Sequence, residues 1–158
     1  MSAEKESLVP SYVAFQVGNR RVAVPRECVA ELIASPVLFS FPHTTPLITG
    51  VALRRGRIVP ILDLGPGLLG GPSPEARFYL VVERRGPNVS ERCAIPVQGE
   101  CELVSGNMLP ASTQNEFVAG CIDLNGAAVD VLDLEKAIAA SARIEMEENA
   151  VHPVEALP

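Results

Sequence analysis

With 158 residues, 47% of them hydrophobic, and a net charge of −6, the chain is long enough for one well-filled domain and too apolar for a disordered protein. It holds no charge-free apolar run near the ~18 residues a membrane helix needs, and its first residues lack the layout of a signal peptide, so a cytoplasmic protein is expected. Two lysines, seven aromatic residues and an acidic total weigh against nucleic-acid binding.

Residues 1–11 are polar and carry Pro10, which predicts a flexible leader. Tyr12 to Val17 and Arg20 to Val24 read as two strands around a turn at Gly18 and Asn19. Pro25 opens a short helical turn, with Cys28, Val29, Leu32 and Ile33 at helical spacing, although the β-branched content lets the later part extend as a strand. Residues 34–47 hold three prolines and two phenylalanines and read as an extended crossing segment.

Ile48 to Leu64 follows as two apolar runs joined by a tight corner at Arg54, Arg55 and Gly56, the pattern of a buried hairpin. Pro60 has no N–H for a ladder bond, so the second strand should be an edge there or carry a bulge. Residues 65–76 are rich in glycine and proline, which should break any helix and serve as a connection. Further strands are predicted at Arg77 to Glu83 and Glu91 to Val97, then a loop over 105–116. A hairpin at Val118 to Leu134 leads into a helix, with Asp133 as N-cap, Glu135 in the first turn and Arg143 near the end. Residues 143–158 contain four glutamates and predict a flexible acidic tail.

The second hairpin repeats the first. Gly120 falls on Gly50, Gly126 on Gly56, Val129 on Val59, and Leu132, Asp133 and Leu134 on Leu62, Asp63 and Leu64. Upstream, Cys93 to Val104 echoes Val22 to Ile33, with Ala94 on Ala23, Pro96 on Pro25, Glu102 on Glu31 and Leu103 on Leu32. A single doubling at this spacing implies two similar halves, about 12–64 and 77–142 joined by 65–76, within one domain over 12–142. A β-unit of about 60 residues is marginal alone, so the halves should share apolar surface. The class is mainly β with barrel-like halves.

No catalytic or metal constellation stands out. Cys28, Cys93, Cys101 and Cys121 are irregularly spaced within apolar runs, as small buried hydrophobes would be. His43 lies in the proline-rich crossing and His152 in the tail, neither placed as a base for a nucleophile. Asp63 and Asp133, at equivalent positions, raise the alternative of a paired-carboxylate hydrolase. Leu64 and Leu134 follow them where a small hydroxyl residue would be needed, so turn or capping roles are favoured. Six arginines against three acids over residues 12–64 give 6 − 3 = +3, and five bases against nine acids over 77–142 give 5 − 9 = −4. Such polarity can steer partners to different faces.

Taken together, FQVGNRRVAVP followed by VAELI, then PLITGVALRRGRIVPILDL, and FVAGCIDLNG ahead of LDLEKAI resemble the CheW-like family, the adaptors of bacterial chemosensory arrays, over about Tyr12 to Ala142. The usual hairpin run of that family is G-V-x-N-L-R-G; here Leu53 and Arg54 stand at the Asn and Leu positions, and Arg55 and Gly56 match. The resemblance implies two intertwined, five-stranded SH3-like barrels with a hydrophobic seam. It also implies a non-enzymatic protein, without cofactor, that couples a chemoreceptor's cytoplasmic tip to the regulatory domain of a CheA-like histidine kinase. By position, Val29, Glu31 and Arg55 correspond to the receptor-facing groove, with Arg54 and Arg57 as additional surface contacts.

Overall fold

The computed structural model describes residues 9–34, 36–40, 47–85, 90–112 and 114–140. The expectations that concern the first eight residues, both histidines, Arg143 and the acidic tail fall outside them. Ten strands run in order: β1 (Ser11–Val17), β2 (Arg20–Pro25), β3 (Val29–Ala34), β4 (Leu38–Phe39), β5 (Ile48–Arg54), β6 (Arg57–Leu62), β7 (Phe78–Arg85), β8 (Ser90–Ser105), β9 (Val118–Leu124) and β10 (Ala127–Leu132). A single 3-10 turn, Arg26–Cys28, separates β2 from β3. A one-turn helix α1 (Gly65–Leu68) follows β6, and residues 134–140 form helix α2 after β10.

Two departures from the sequence reading have simple causes. The linker does form a helical turn, with Leu68 N–H donating to Leu64 O at 2.9 Å and Leu69 N–H to Gly65 O at 2.6 Å. Pro66 does not prevent it because a proline in the first turn gives up only an N–H that has no helical partner. The helical turn opened by Pro25 ends at Cys28, and the helical spacing does not carry on beyond it: Val29 to Ile33 extend as strand, since β3 finds a ladder partner in β7, with Leu32 opposite Leu80 and Ile33 opposite Tyr79.

The strands form two wings that meet on β8. One wing runs β8–β1–β2–β10–β9, and the other holds β4–β5–β6, β7 and β3, also built onto β8. The first part of β8 pairs with β7, Phe78 opposite Val97 through Glu83 opposite Arg92. Its last part pairs with β1, Ser11 opposite Ser105 through Gln16 opposite Gln98. The change of partner falls between Val97 and Gln98, and the register shift that follows against β1 takes in Gly99, whose φ of +77° is one that a side-chain-bearing residue rarely adopts. The β1–β2 hairpin thus sits beside β10, the last of the described strands, and β3 pairs with β7, so the wings do not follow the two echoing stretches of sequence. Among the described residues neither wing's ladder closes on itself.

Three clusters fill the interior. Ile33, Val59, Ile61, Tyr79, Val81 and Ala94 pack within one wing, and Tyr12, Ala14, Ala23, Ile122, Val129 and Val131 within the other. Between them lies the largest core, in which Leu62 and Leu132, Leu64 and Leu134, and Leu47 and Phe117 take part as equivalent residues of the two repeats. Strand alternation produces this division: Val13, Phe15 and Val17 of β1 face the shared seam while Tyr12 and Ala14 face the wing's own core.

The duplicated hairpins match closely. β5 and β9 share one burial pattern along seven residues, as do β6 and β10 along six. Gly50 and Gly120 are required by close backbone crossings: a Cβ on either would lie 2.8 Å from Phe39 O or 2.6 Å from Leu109 O. The first hairpin is not wholly buried, however. Leu53 and Ile58, opposite each other on the ladder, are 48% and 68% exposed because they point away from the wing's core.

Residues 1–72 expressed alone should fail to fold, because β1 would lose β8, β2 would lose β10, and β3 would lose β7. A fragment of that length should show no cooperative thermal transition and poorly dispersed amide resonances; a sharp transition would mean that the first stretch is an independent unit.

Candidate partner-binding groove

The tip of the β5–β6 hairpin is a two-residue turn with positive φ at both positions, Arg55 at 51° and Gly56 at 75°. The second hairpin turns in the same way on Asn125 at 54° and Gly126 at 88°. This geometry suits the right-handed twist of the flanking strands, and asparagine followed by glycine is its favoured sequence. Arginine is a poor choice there, since left-handed backbone costs a residue with a Cβ of order 1 kcal/mol.

Beside the tip, Glu31 rises from β3 and accepts two hydrogen bonds from Arg54, Nε to Oε1 at 3.0 Å and Nη2 to Oε2 at 3.1 Å. This is a fork-to-fork arrangement that lysine could not make. Arg55 Nη2 lies 3.9 Å from Glu31 Oε2, too far for a hydrogen bond, and its side chain is 77% exposed against 23% for Glu31. The hydrogen bond from Arg54, aided by the charges of Arg54, Arg55 and Arg92, holds the Glu31 carboxyl below its ordinary range, and the same bond raises Arg54. Arg57 stands opposite Arg54 on the ladder. With Arg92 of β8 and an apolar floor of Val59 and Val81, these side chains line a groove of about 360 Å³.

Four of the five residues singled out in the sequence, Glu31, Arg54, Arg55 and Arg57, therefore share one groove. Val29 does not line it: a register shift between Val29 and Glu31 on β3 separates them, and Val29 packs against the shared core. Arg92, which sequence reasoning missed, reaches the groove because β8 carries it alongside β7, where its Nη2 lies 3.5 Å from Glu83 Oε2. No local pattern in the chain marks that arrival.

The basic character of the first stretch divides in space. Arg20 is bound to Asp130 of β10 at 2.5 Å and to Leu68 O at 3.1 Å, and Arg21 pairs with Glu102. These arginines fasten the other wing and leave the tip of β5–β6 as the separate basic site.

The two aspartates serve turns. Asp63 is buried and accepts from Gly65 N–H at 2.8 Å and Ser73 N–H at 3.1 Å, while Asp133 accepts from Lys136 N–H at 3.1 Å as the N-cap of α2. Cys93 is buried, and burial pushes its thiol up to about 12; Cys121 is also buried, and Cys28 and Cys101 are partly so. None of the four is in a disulfide.

Comparison with known proteins agrees with this architecture. A CheW-like domain is matched over residues 11–142. The chain is 29% identical to Protein FrzA of Myxococcus xanthus over 134 residues, covering 79% of this chain and 82% of that one. It is 37% identical to Protein PilI of Pseudomonas aeruginosa over 76 residues, 46% of this chain and 42% of the relative. The crystal structure of the scaffolding protein TtCheW from Thermoanaerobacter tengcongensis superimposes with a TM-score of 0.68 at 18% identity, covering 79% of this chain and 89% of that one.

Two measurements check the groove's physics. Arg55→Asn should raise stability by about 0.5–1.5 kcal/mol, because asparagine suits the left-handed turn and the exposed 3.9 Å contact it removes contributes little. For a domain of this size that is a rise of roughly 2–4 °C per kcal/mol in Tm; a fall would mean that the Arg55 side chain is part of the fold. Because the Glu31 carboxyl is lowered in the folded chain, its contribution is fully present above the ordinary carboxylate range and is lost as pH falls through the lowered value. In a carbon-detected NMR titration Glu31 should protonate below the exposed glutamates, and Arg54→Leu should return it upward.

Proposed function

Because the chain belongs to the CheW-like domain family, a family of scaffolds and adaptors of chemosensory signalling rather than enzymes, we propose that it couples the cytoplasmic tip of a chemoreceptor to the regulatory domain of a CheA-like histidine kinase. The pathway is bacterial chemotaxis or a related chemosensory system. The observation that carries this reading is the groove at the β5–β6 tip, where Glu31 on strand β3 and Arg55 in the tight turn stand together and the arginine keeps unused donors facing solvent. Binding residues held by strands and a tight turn rather than by mobile loops suit a protein whose task is to hold two others in fixed relation.

The reading places the protein in the cytoplasm, at the membrane only through its receptor; no described helix is long and apolar enough to cross a bilayer. The hydrolase alternative loses its support, since Asp63 and Asp133 are each occupied with backbone N–H groups of their own turns. No observation in the structure favours a nucleic-acid role, with Arg20 and Arg21 committed to Asp130 and Glu102.

Arg55→Glu tests the proposal. The melting temperature should hardly move, as exposed substitutions usually cost within ~0.5 kcal/mol. Affinity for a receptor-tip fragment should fall at least about tenfold, or ~1.4 kcal/mol, with binding to the kinase regulatory domain unchanged. Calorimetry giving equal receptor affinity for both proteins would place the receptor site elsewhere.

A further inference from the structure

We propose that the β5–β6 tip is a carboxylate-binding surface and that the segment of the partner protein seated there is acidic. The inference rests on the reading of this groove as a partner site and names the chemistry of what it takes. Four guanidinium groups, Arg54, Arg55, Arg57 and Arg92, line the groove with a single carboxylate, Glu31. Arg54 is committed to Glu31 through two hydrogen bonds, and Arg92 faces Glu83. Arg55 makes no hydrogen bond to Glu31 at 3.9 Å, and Arg57 enters no ion pair among the described residues. Two planar donors are left facing solvent beside a wall whose own charges are already paired, and guanidinium groups so placed recognise carboxylates.

The second hairpin acts as an internal control. It has the same turn and the same burial, yet carries Leu124, Asn125 and Ala127 where the first has Arg54, Arg55 and Arg57. The backbone therefore does not need three arginines, and at Arg55 the residue type opposes the backbone conformation. A charge cluster that folding does not require, placed on one copy of a duplicated element, is accounted for by what it binds. Its sign selects an acidic partner.

The test uses the full chain and a hexaglutamate peptide, with hexalysine as the reversed-charge control, by isothermal titration calorimetry at low and moderate salt. The double variant Arg55→Asn/Arg57→Ala gives the first tip the residues present at 125 and 127 and leaves the Glu31–Arg54 pair intact. A second variant, Arg26→Asn/Arg77→Ala, makes the same change in net charge at residues that do not line the groove. Wild type should bind hexaglutamate and not hexalysine, more weakly as salt rises; the tip variant should lose at least tenfold and the control variant less than twofold. Equal losses in the two variants, an unchanged tip variant, or no binding to wild type at low salt would each overturn the proposal. The receptor-tip fragment, titrated into the same proteins, separates the two readings. If hexaglutamate binding falls and receptor binding does not, the surface takes acids but is not the receptor site. If receptor binding falls while wild type ignores hexaglutamate, the receptor site stands and its acidic chemistry is wrong.

Discussion

Strand β8 belongs to both wings, and the rest of the molecule depends on that fact. Its sixteen residues complete the ladder with β7 at one end and with β1 at the other, with the left-handed Gly99 just past the change of partner. Neither wing has its full complement of strands without it, and the shared core is closed by residues that β8 presents, Cys93, Ile95 and Val97. The groove depends on it too, since Arg92 meets Glu31, Arg54 and Arg57 only because β8 lies against β7 and β7 against β3. Four residues drawn from three separate parts of the chain are thus held on one rigid ladder.

The same crossing is made twice by different means. Between β2 and β3 the chain leaves one wing for the other through the 3-10 turn Arg26–Cys28; at the corresponding place in the second repeat it crosses in the opposite direction beside the left-handed Gly99 without leaving strand. Pro25 and Pro96 precede the two crossings, which is why that proline appears in both repeats. The echo in the sequence is readable as duplication, while its consequence, an exchange of strands between wings, entered only through the resemblance to a family of intertwined halves and not through residue order. Pairing between β2 and β10, more than a hundred residues apart, is decided by which edges remain open after the local hairpins form. No short-range pattern carries that information.

Legibility followed the same division elsewhere. Hairpins with glycine corners, the alternation that buries Val59 and Ile61, and Asp133 as a helix cap are local matters, and residue order revealed them. The helical turn at Gly65–Leu68 was hidden because its composition resembles a linker, yet it stands where α2 stands in the other repeat and buries Leu64 and Leu68 in the same core. Gly67 explains the composition: a Cβ there would come within 2.3 Å of the Phe117 ring, so the short helix keeps glycine to let the second repeat pack against it. At the groove, Glu31, Arg54 and Arg55 lie together, whereas Val29 packs against the shared core one register shift away and Arg92 arrives from a distant strand.

The corner of the first hairpin carries two arginines in succession, Arg54 and Arg55. With Arg54 one residue earlier, on the strand and facing the groove, the bidentate bond is made from regular backbone at 3.0 and 3.1 Å. Arg55 is then free to remain at the apex, in a conformation that would suit asparagine better, with its side chain turned to solvent. Arg54 and Glu31 form the inner layer of the site and Arg55 and Arg57 the outer. A partner's acidic groups would meet the outer pair first, while the inner pair keeps Glu31 neutralised so that it does not repel them. Exchange of Arg54 for leucine would reverse this order, returning Glu31 to compete for Arg55 and lowering the positive potential of the groove by one full charge.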